Sequence, residues 1–263
     1  MSSLTITLIQ TNLFWEDKKA NLEMVQEKIE AIKEKAEIVI LPEMFTTGFS
    51  MKPELLAEKM DGQTIQWMKK IAAEKKIILT GSLIIEEDGK YFNRLIWMLP
   101  NGEFGVYDKR HLFAFGDEHN HYSPGNKKLI ASVKGWKINL QICYDLRFPV
   151  WSRQPFGELE NKYDLLINVA NWPAERSVAW ETLLRARAIE NQCFVVGVNC
   201  VGEDGNKIFY NGGSAIIDPL GEIIYQKNKE EDIFTYTLQK EKITKTWKQF
   251  PFWKDADSFR ISE

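Results

Sequence analysis

Lys137-Ile138-Asn139-Leu140-Gln141-Ile142-Cys143-Tyr144-Asp145-Leu146-Arg147 decides how this chain folds: a strand-like apolar run stops at a cysteine and turns at once into a polar string. Two other segments have the same form. Ile38-Val39-Ile40-Leu41-Pro42-Glu43 is an apolar run that stops at a carboxylate, and Tyr107-Asp108-Lys109-Arg110-His111 follows the strand-like stretch 95–99. Strands that each end on a chemically competent side chain can bring those side chains to one side of a sheet. A thiol, a carboxylate and an amine suffice for acyl transfer. The thiolate attacks, the carboxylate moves protons, and the ammonium stabilises negative charge.

Working outward, residues 5–10 alternate as a strand. Residues 17–36 predict a helix, with Leu22, Val25, Ile29, Ile32 and Ala36 at three- and four-residue steps. Residues 37–41 read as a strand buried on both faces, and 62–74 as a second helix. Residues 77–85 and 91–99 pair across Glu87-Asp88-Gly89-Lys90, a hairpin signal. In the second half, strands are expected at 137–143, 164–170 and 193–199, a hairpin at 213–219 with 221–225, and a last strand at 234–238. Residues 177–191 predict a helix with Trp180, Leu183, Leu184, Ala188 and Ile189 on its apolar side. A doubly wound parallel sheet would lack the hairpins. The class that accommodates both signals is α/β, a four-layer α-β-β-α sandwich of two mixed sheets with helices outside.

The composition is even, with no repeat and no linker rich in Pro, Gly or Ser, which favours one domain over residues 1–263. Its tail, 240–263, carries Trp247, Phe250, Phe252, Trp253 and Phe259, and is expected to dock on the body or on a partner subunit. Hydrophobic content of 44% and charged content of 27% are ordinary for a globular protein with a sizeable core. A net charge of −3 gives no pull toward nucleic acid or anionic membrane. No apolar run reaches the length of a membrane span, and the first residues lack the basic region of a signal peptide. Three cysteines without a C-x-x-C pair argue against a disulfide framework and for a reducing, cytoplasmic compartment. His111, His119 and His121 cluster, but without H-E-x-x-H or Cys/His ligand spacing they read as loop histidines near a site, with no metal ligands assigned.

Cys193 and Cys200 lie in or beside apolar strands and read as small buried hydrophobes. Cys143 differs because charge follows at once. A strand-to-turn junction exposes the thiol and aims backbone N–H groups beside it, so the N–H of Tyr144 is the natural oxyanion donor. A free thiol is only slightly ionised at neutral pH and needs a base. Histidine is one candidate, since pairing with the loop histidines stays open. Glu43, at the end of a strand buried on both faces, is better placed by context. Lys109 alone is an unremarkable charged turn, and its value depends on the other two.

Leu41-Pro42-Glu43, Tyr107-Asp108-Lys109-Arg110-His111-Leu112-Phe113 and Cys143-Tyr144-Asp145-Leu146-Arg147-Phe148-Pro149 resemble, in order and separation, the three signature segments of the nitrilase (carbon–nitrogen hydrolase) superfamily. The resemblance covers nearly the whole chain. It implies a Glu43–Lys109–Cys143 triad without a cofactor and a second glutamate at Glu118, with the adjacent Asp117 as the alternative register. Nitrilases proper usually carry Trp-Glu after the cysteine, and Tyr144-Asp145 departs from that, against nitrile hydrolysis. Phe115-Gly116-Asp117-Glu118-His119, Val169-Ala170-Asn171-Trp172-Pro173 and Arg185-Ala186-Arg187-Ala188-Ile189-Glu190-Asn191 are similar to the bacterial omega-amidases. That likeness implies hydrolysis of the terminal amide of 2-oxoglutaramate or 2-oxosuccinamate. Another small amide or an N-carbamoyl amino acid is the alternative substrate, and a non-catalytic binding protein the alternative class. A dicarboxylate monoamide needs a carboxylate anchor, for which Arg147 and Arg176 are the candidates. Phe45, Phe115, Tyr122 and Trp172 are expected to wall the pocket. The family likeness further implies a homodimer.

Overall fold

The computed structural model describes residues 2–154 and 162–261. Its first half runs β1 (Ser3–Gln10), α1 (Lys18–Glu30), β2 (Ile38–Ile40), α2 (Pro53–Leu56), α3 (Gln63–Lys75), β3 (Ile78–Glu87), β4 (Lys90–Met98), β5 (Phe104–Asp108) and α4 (Glu118–His121). The second runs β6 (Ile130–Val133), β7 (Trp136–Ile142), α5 (Pro149–Ser152), β8 (Leu165–Val169), α6 (Ser177–Asn191), β9 (Phe194–Val198), β10 (Val201–Glu203), β11 (Phe209–Ile217), β12 (Ile223–Asn228), β13 (Asp232–Gln239) and α7 (Lys240–Gln249).

Among the described residues these strands form two mixed sheets. The six-stranded sheet has the order β13-β1-β2-β3-β4-β5, parallel across β1–β2 and β2–β3 and antiparallel elsewhere. The seven-stranded sheet has the order β10-β11-β9-β8-β7-β6 with β12 beside β11, and is parallel across β7–β8 and β8–β9. Period-two alternation sorts each strand's side chains between two layers. Leu4, Ile6, Leu8, Ile38, Ile40, Leu95 and Trp97 meet Ile138, Leu140, Ile142 and Ile167 between the sheets, in a cluster that extends to Trp180, Leu184 and Ala188 of α6. Val39, Leu41, Leu79 and Ile96 face the other way, against Val25 and Ile29 of α1 and Ile65, Met68 and Ile71 of α3. The layers are therefore α-β-β-α. Each fully buried Leu or Ile contributes roughly 1.5–3 kcal/mol.

The β3–β4 hairpin turns where the sequence predicts it. Asp88 and Gly89 both have positive φ (53° and 72°), the geometry that matches the twist of paired strands and that Gly adopts without a steric cost.

Four expectations change. α1 ends at Glu30, although Ile32 and Ala36 continue its spacing and still pack on the same cluster. The chain unwinds there because Glu37 must enter beside β1: its amide donates to Thr5 O, and its carboxylate accepts from Thr5 N (2.8 Å each). Between residue 99 and Lys109 lies an additional edge strand, β5, whose exposed Phe104 and Val106 leave little burial pattern to read. On α6, Ile189 is 52% exposed, whereas Arg187 and Asn191 are buried. Arg187 donates to Leu146 O, and Asn191 accepts from Gln154 N, so polar contacts with the segment after Cys143 displace the apolar stripe. The tail opens as the helix α7, with Ile243 fully buried. Trp247 Nε1 donates to Gln192 O and Gln192 Nε2 to Phe250 O (2.8 Å each), while Phe252 and Phe259 remain exposed. Residues 262–263 lie outside the described part.

Candidate active site

The first sheet supplies the charged groups. Leu41 N still donates to Thr80 O, so the chain stays in line with β2 until Met44, at φ +42°, turns it away after Glu43. Lys109 follows β5 directly. Its N–H donates to Asn93 O on β4 (3.0 Å), and its carbonyl accepts from Gly125 N (2.9 Å). That approach requires glycine, since a Cβ at residue 125 would sit 2.2 Å from Asp108 O. Glu118 opens the short helix α4. The three side chains meet in the interior, with Glu43 and Glu118 at 0% exposure and Lys109 at 1%.

Lys109 Nζ donates to Glu43 Oε1 (2.9 Å) and to both oxygens of Glu118 (3.0 and 2.8 Å). Asn93 Nδ2 donates to Oε1 of both Glu43 (2.7 Å) and Glu118 (3.2 Å). Asn171 N donates to Glu43 Oε2 (2.8 Å), and Phe113 N to Glu118 Oε2 (2.6 Å). An ionised carboxylate has about four acceptor sites. Those of Glu118 are filled, whereas Glu43 keeps one for another donor. Burial works against a charged Lys109, but Glu118 and then Glu43 outweigh it, and the ammonium is held well above its ordinary range. Burial pushes the Glu118 carboxyl up. Lys109 only partly opposes this, because one ammonium is shared between two carboxylates and Glu43 adds like charge.

The second sheet supplies the thiol. Cys143 follows the last residue of β7 in the left-handed region, φ +43°, a strained position for a residue with a Cβ. A sharp strand-to-turn junction of this kind presents a nucleophile above the strand ends. The turn is held from below by Asp145, which accepts from Ile142 N (3.1 Å), Tyr107 OH (2.7 Å) and His111 N (3.0 Å), tying the cysteine segment to the lysine segment. Tyr144 N–H is one of the leading amides of the short 3₁₀ turn Cys143–Arg147, which have no partner within the turn. Cys143 is 9% exposed. Burial pushes it well above the ordinary thiol range, the Glu43 carboxylate adds to the effect by charge and hydrogen bond, and Lys109 opposes it.

Cys143, Lys109, Arg147, Trp172 and Arg176 line one cavity of about 100 Å³, together with Phe49, Phe113, Tyr144, Asn171 and Tyr210. Arg147 stacks over Trp172 (4.9 Å) and Arg176 over Phe113 (5.3 Å). Among the described residues neither guanidinium has a carboxylate partner.

A family model described as carbon-nitrogen hydrolase matches residues 5–248. The chain belongs to that family. It is 42% identical to the omega-amidase YafV of Escherichia coli over 99% of this chain and 100% of that one. It is 32% identical to a 2-oxoglutaramate amidase of Bacillus subtilis, over 95% of this chain and 96% of the other. A crystal structure from Xanthomonas campestris, of a CN-hydrolase superfamily protein with an arsenic adduct in its active site, superposes with a TM-score of 0.96 at 43% identity over the whole of both chains.

Within this family fold the structure brings Glu43, Lys109, Glu118 and Cys143 together, with Arg147, Trp172 and Arg176 around them. Glu118, and not Asp117, contacts Lys109; Asp117 is an exposed partner of Asn120 and His121. Three expected wall residues lie elsewhere. Phe45 is fully buried against Trp67 (6.2 Å) in the α1–α3 layer, because the turn at Met44 sends it to the far side of the sheet. Phe115 is 86% exposed on a 3₁₀ turn, and Phe113 lines the cavity instead. Tyr122 packs in a separate cluster and donates to Ser50 O (2.6 Å), bracing the loop before α2. His111 accepts or donates at Asp145 (2.8 Å) and stacks on Phe148 (3.7 Å), whereas His121 meets Asp117. Among the described residues no group of three or more His, Cys, Asp or Glu is arranged to hold a metal ion. Likewise, no helix there is long and apolar enough to cross a membrane.

Asn93 and Asn171 were not among the expected site residues. Asn93 had a signal: it shares the inter-sheet face of β4 with Leu95 and Trp97, a polar residue in an apolar series.

Proposed function

We propose that this chain is an omega-amidase that hydrolyses the terminal amide of 2-oxo dicarboxylate monoamides, such as 2-oxoglutaramate and 2-oxosuccinamate, to the acid and ammonia. The observation that carries the reading is the contrast within one cavity. Cys143 and Lys109 line it together with two guanidinium groups, Arg147 and Arg176, that have no carboxylate partner among the described residues. An amide suits the first and a carboxylate the second. Relatives carrying the names omega-amidase and 2-oxoglutaramate amidase support it.

In this mechanism Glu43 takes the thiol proton through its remaining acceptor site, and Cys143 Sγ bonds to the amide carbon. Lys109 and the Tyr144 N–H stabilise the oxyanion. Glu43 returns the proton to nitrogen as the C–N bond breaks, and ammonia leaves. Water then attacks the thioester, giving its proton to Glu43. The C–S bond breaks, the acid departs, and the sulfur recovers its proton. Glu118 fixes Lys109 and helps to position the water. No cofactor enters these steps. The reading assigns the enzyme to the cytoplasm, as its three free cysteines suit a reducing compartment. It also takes the enzyme to be a homodimer, a pairing supported by exposed Val150, Val178 and Ile189 around α5 and α6.

A panel of monoamides scored by ammonia release tests the substrate class. The expected order is 2-oxoglutaramate and 2-oxosuccinamate above neutral short amides and N-carbamoyl amino acids. Preference for either of the latter would overturn the assignment.

A further inference from the structure

Asn93 meets all three members of the buried charged network. Its carbonyl accepts from Lys109 N (3.0 Å), and its side-chain Nδ2 donates to Glu43 Oε1 (2.7 Å) and Glu118 Oε1 (3.2 Å). It is fully buried, and its own Oδ1 has no partner among the described residues. The amide orientation is fixed, because turning it would set that oxygen against two carboxylates. A buried acceptor left unpaired is costly, so the donor side carries the benefit of having asparagine here.

The acceptor count says what that benefit is. Lys109 and Asn93 occupy Glu43 Oε1, and Asn171 N takes one site on Oε2, so one site is left to receive a proton. We infer that Asn93 is a positioning residue for amide hydrolysis: its Nδ2 occupies the second acceptor site of Glu43 Oε1, leaving Oε2 as the atom that exchanges protons with Cys143. The inference rests on the amidase reading and goes beyond it, since Asn93 touches neither thiol nor cavity.

Removing the donor has a distinctive sign. Glu43 becomes a stronger base, so it draws the proton from Cys143 more readily but returns it to departing ammonia less readily. The other titratable groups that act on Glu43 or share its site are Lys109, Glu118, Cys143, Cys200, Tyr122 and Tyr210, and all remain in place.

The test uses Asn93→Leu, close in shape and without donor or acceptor, and Asn93→Ala should the larger side chain fail to fold. On 2-oxoglutaramate the variant is expected to lose about tenfold to a hundredfold in kcat with KM within about twofold. At neutral pH its Cys143 is expected to react several-fold faster with iodoacetamide. A folded variant with parental kcat and parental alkylation rate would overturn the inference, as would parallel loss of both, which indicates a merely structural role. If the parent protein releases no ammonia from any amide, the amidase reading fails, while the alkylation rate still judges Asn93.

Discussion

The two sheets contribute to one cavity in opposite ways. From the first come Glu43, Lys109 and Asn93, buried and engaged with one another, and Glu118 joins them from α4. From the second come Cys143 at a strained turn and, beyond β8, Trp172 and Arg176, lining a cavity whose guanidinium groups have no carboxylate partner among the described residues. A buried charge network with all but one acceptor site filled has little freedom to rearrange. A guanidinium group stacked on a ring keeps its N–H donors free to meet a carboxylate. The first sheet therefore supplies the carboxylate and ammonium groups, while the second supplies the thiol and the guanidinium groups of the cavity.

The division can be broken most severely at the thiol. Cys143→Ala should abolish ammonia release while leaving the melting transition within a few degrees, because Cys143 contributes little buried area; surviving turnover in a clean preparation would remove it as the nucleophile. Next in size, Glu43→Gln should lower kcat by about a hundredfold to ten-thousandfold. The same variant isolates the electrostatics. Burial and the Glu43 charge both push the Cys143 thiol up, and Lys109 pulls it down. Without the Glu43 charge the thiolate should form at lower pH than in the parent, read from its ultraviolet absorbance. A shift to higher pH would contradict the geometry. The smallest effect belongs to the ligand side. Arg147→Ala or Arg176→Ala should raise KM for 2-oxoglutaramate by about tenfold to a hundredfold, as expected for losing one hydrogen-bonded charge pair, with little change for a neutral amide. Equal losses on both substrates would place the arginine in the scaffold.

The same contrast explains what the sequence made legible. Glu43, Lys109 and Cys143 each stand where an apolar run gives way to polar residues, so periodicity and residue type together expose them. The helix at 177–191 was readable to the residue. Phe45 and Tyr122 misled because a single left-handed residue or a long-range hydrogen bond decides which layer an aromatic ring enters, and neither leaves a periodic trace. Edge strand β5 was hidden by its exposure, and α7 by its mostly polar surface. Arg187 and Asn191 looked like the polar face of α6, but their partners, at Leu146 and Gln154, are distant in sequence.

Glu118 offers the most direct access to the central claim, because its four acceptor sites are filled by Lys109, Asn93 and Phe113 N. Glu118→Gln loosens the lysine and should slow thioester hydrolysis more than thioester formation. Brief exposure of this variant to 2-oxoglutaramate, followed by mass spectrometry of the whole protein and its peptides, should find the acyl group of the substrate on Cys143. An adduct on any other residue would contradict the shared-pocket mechanism.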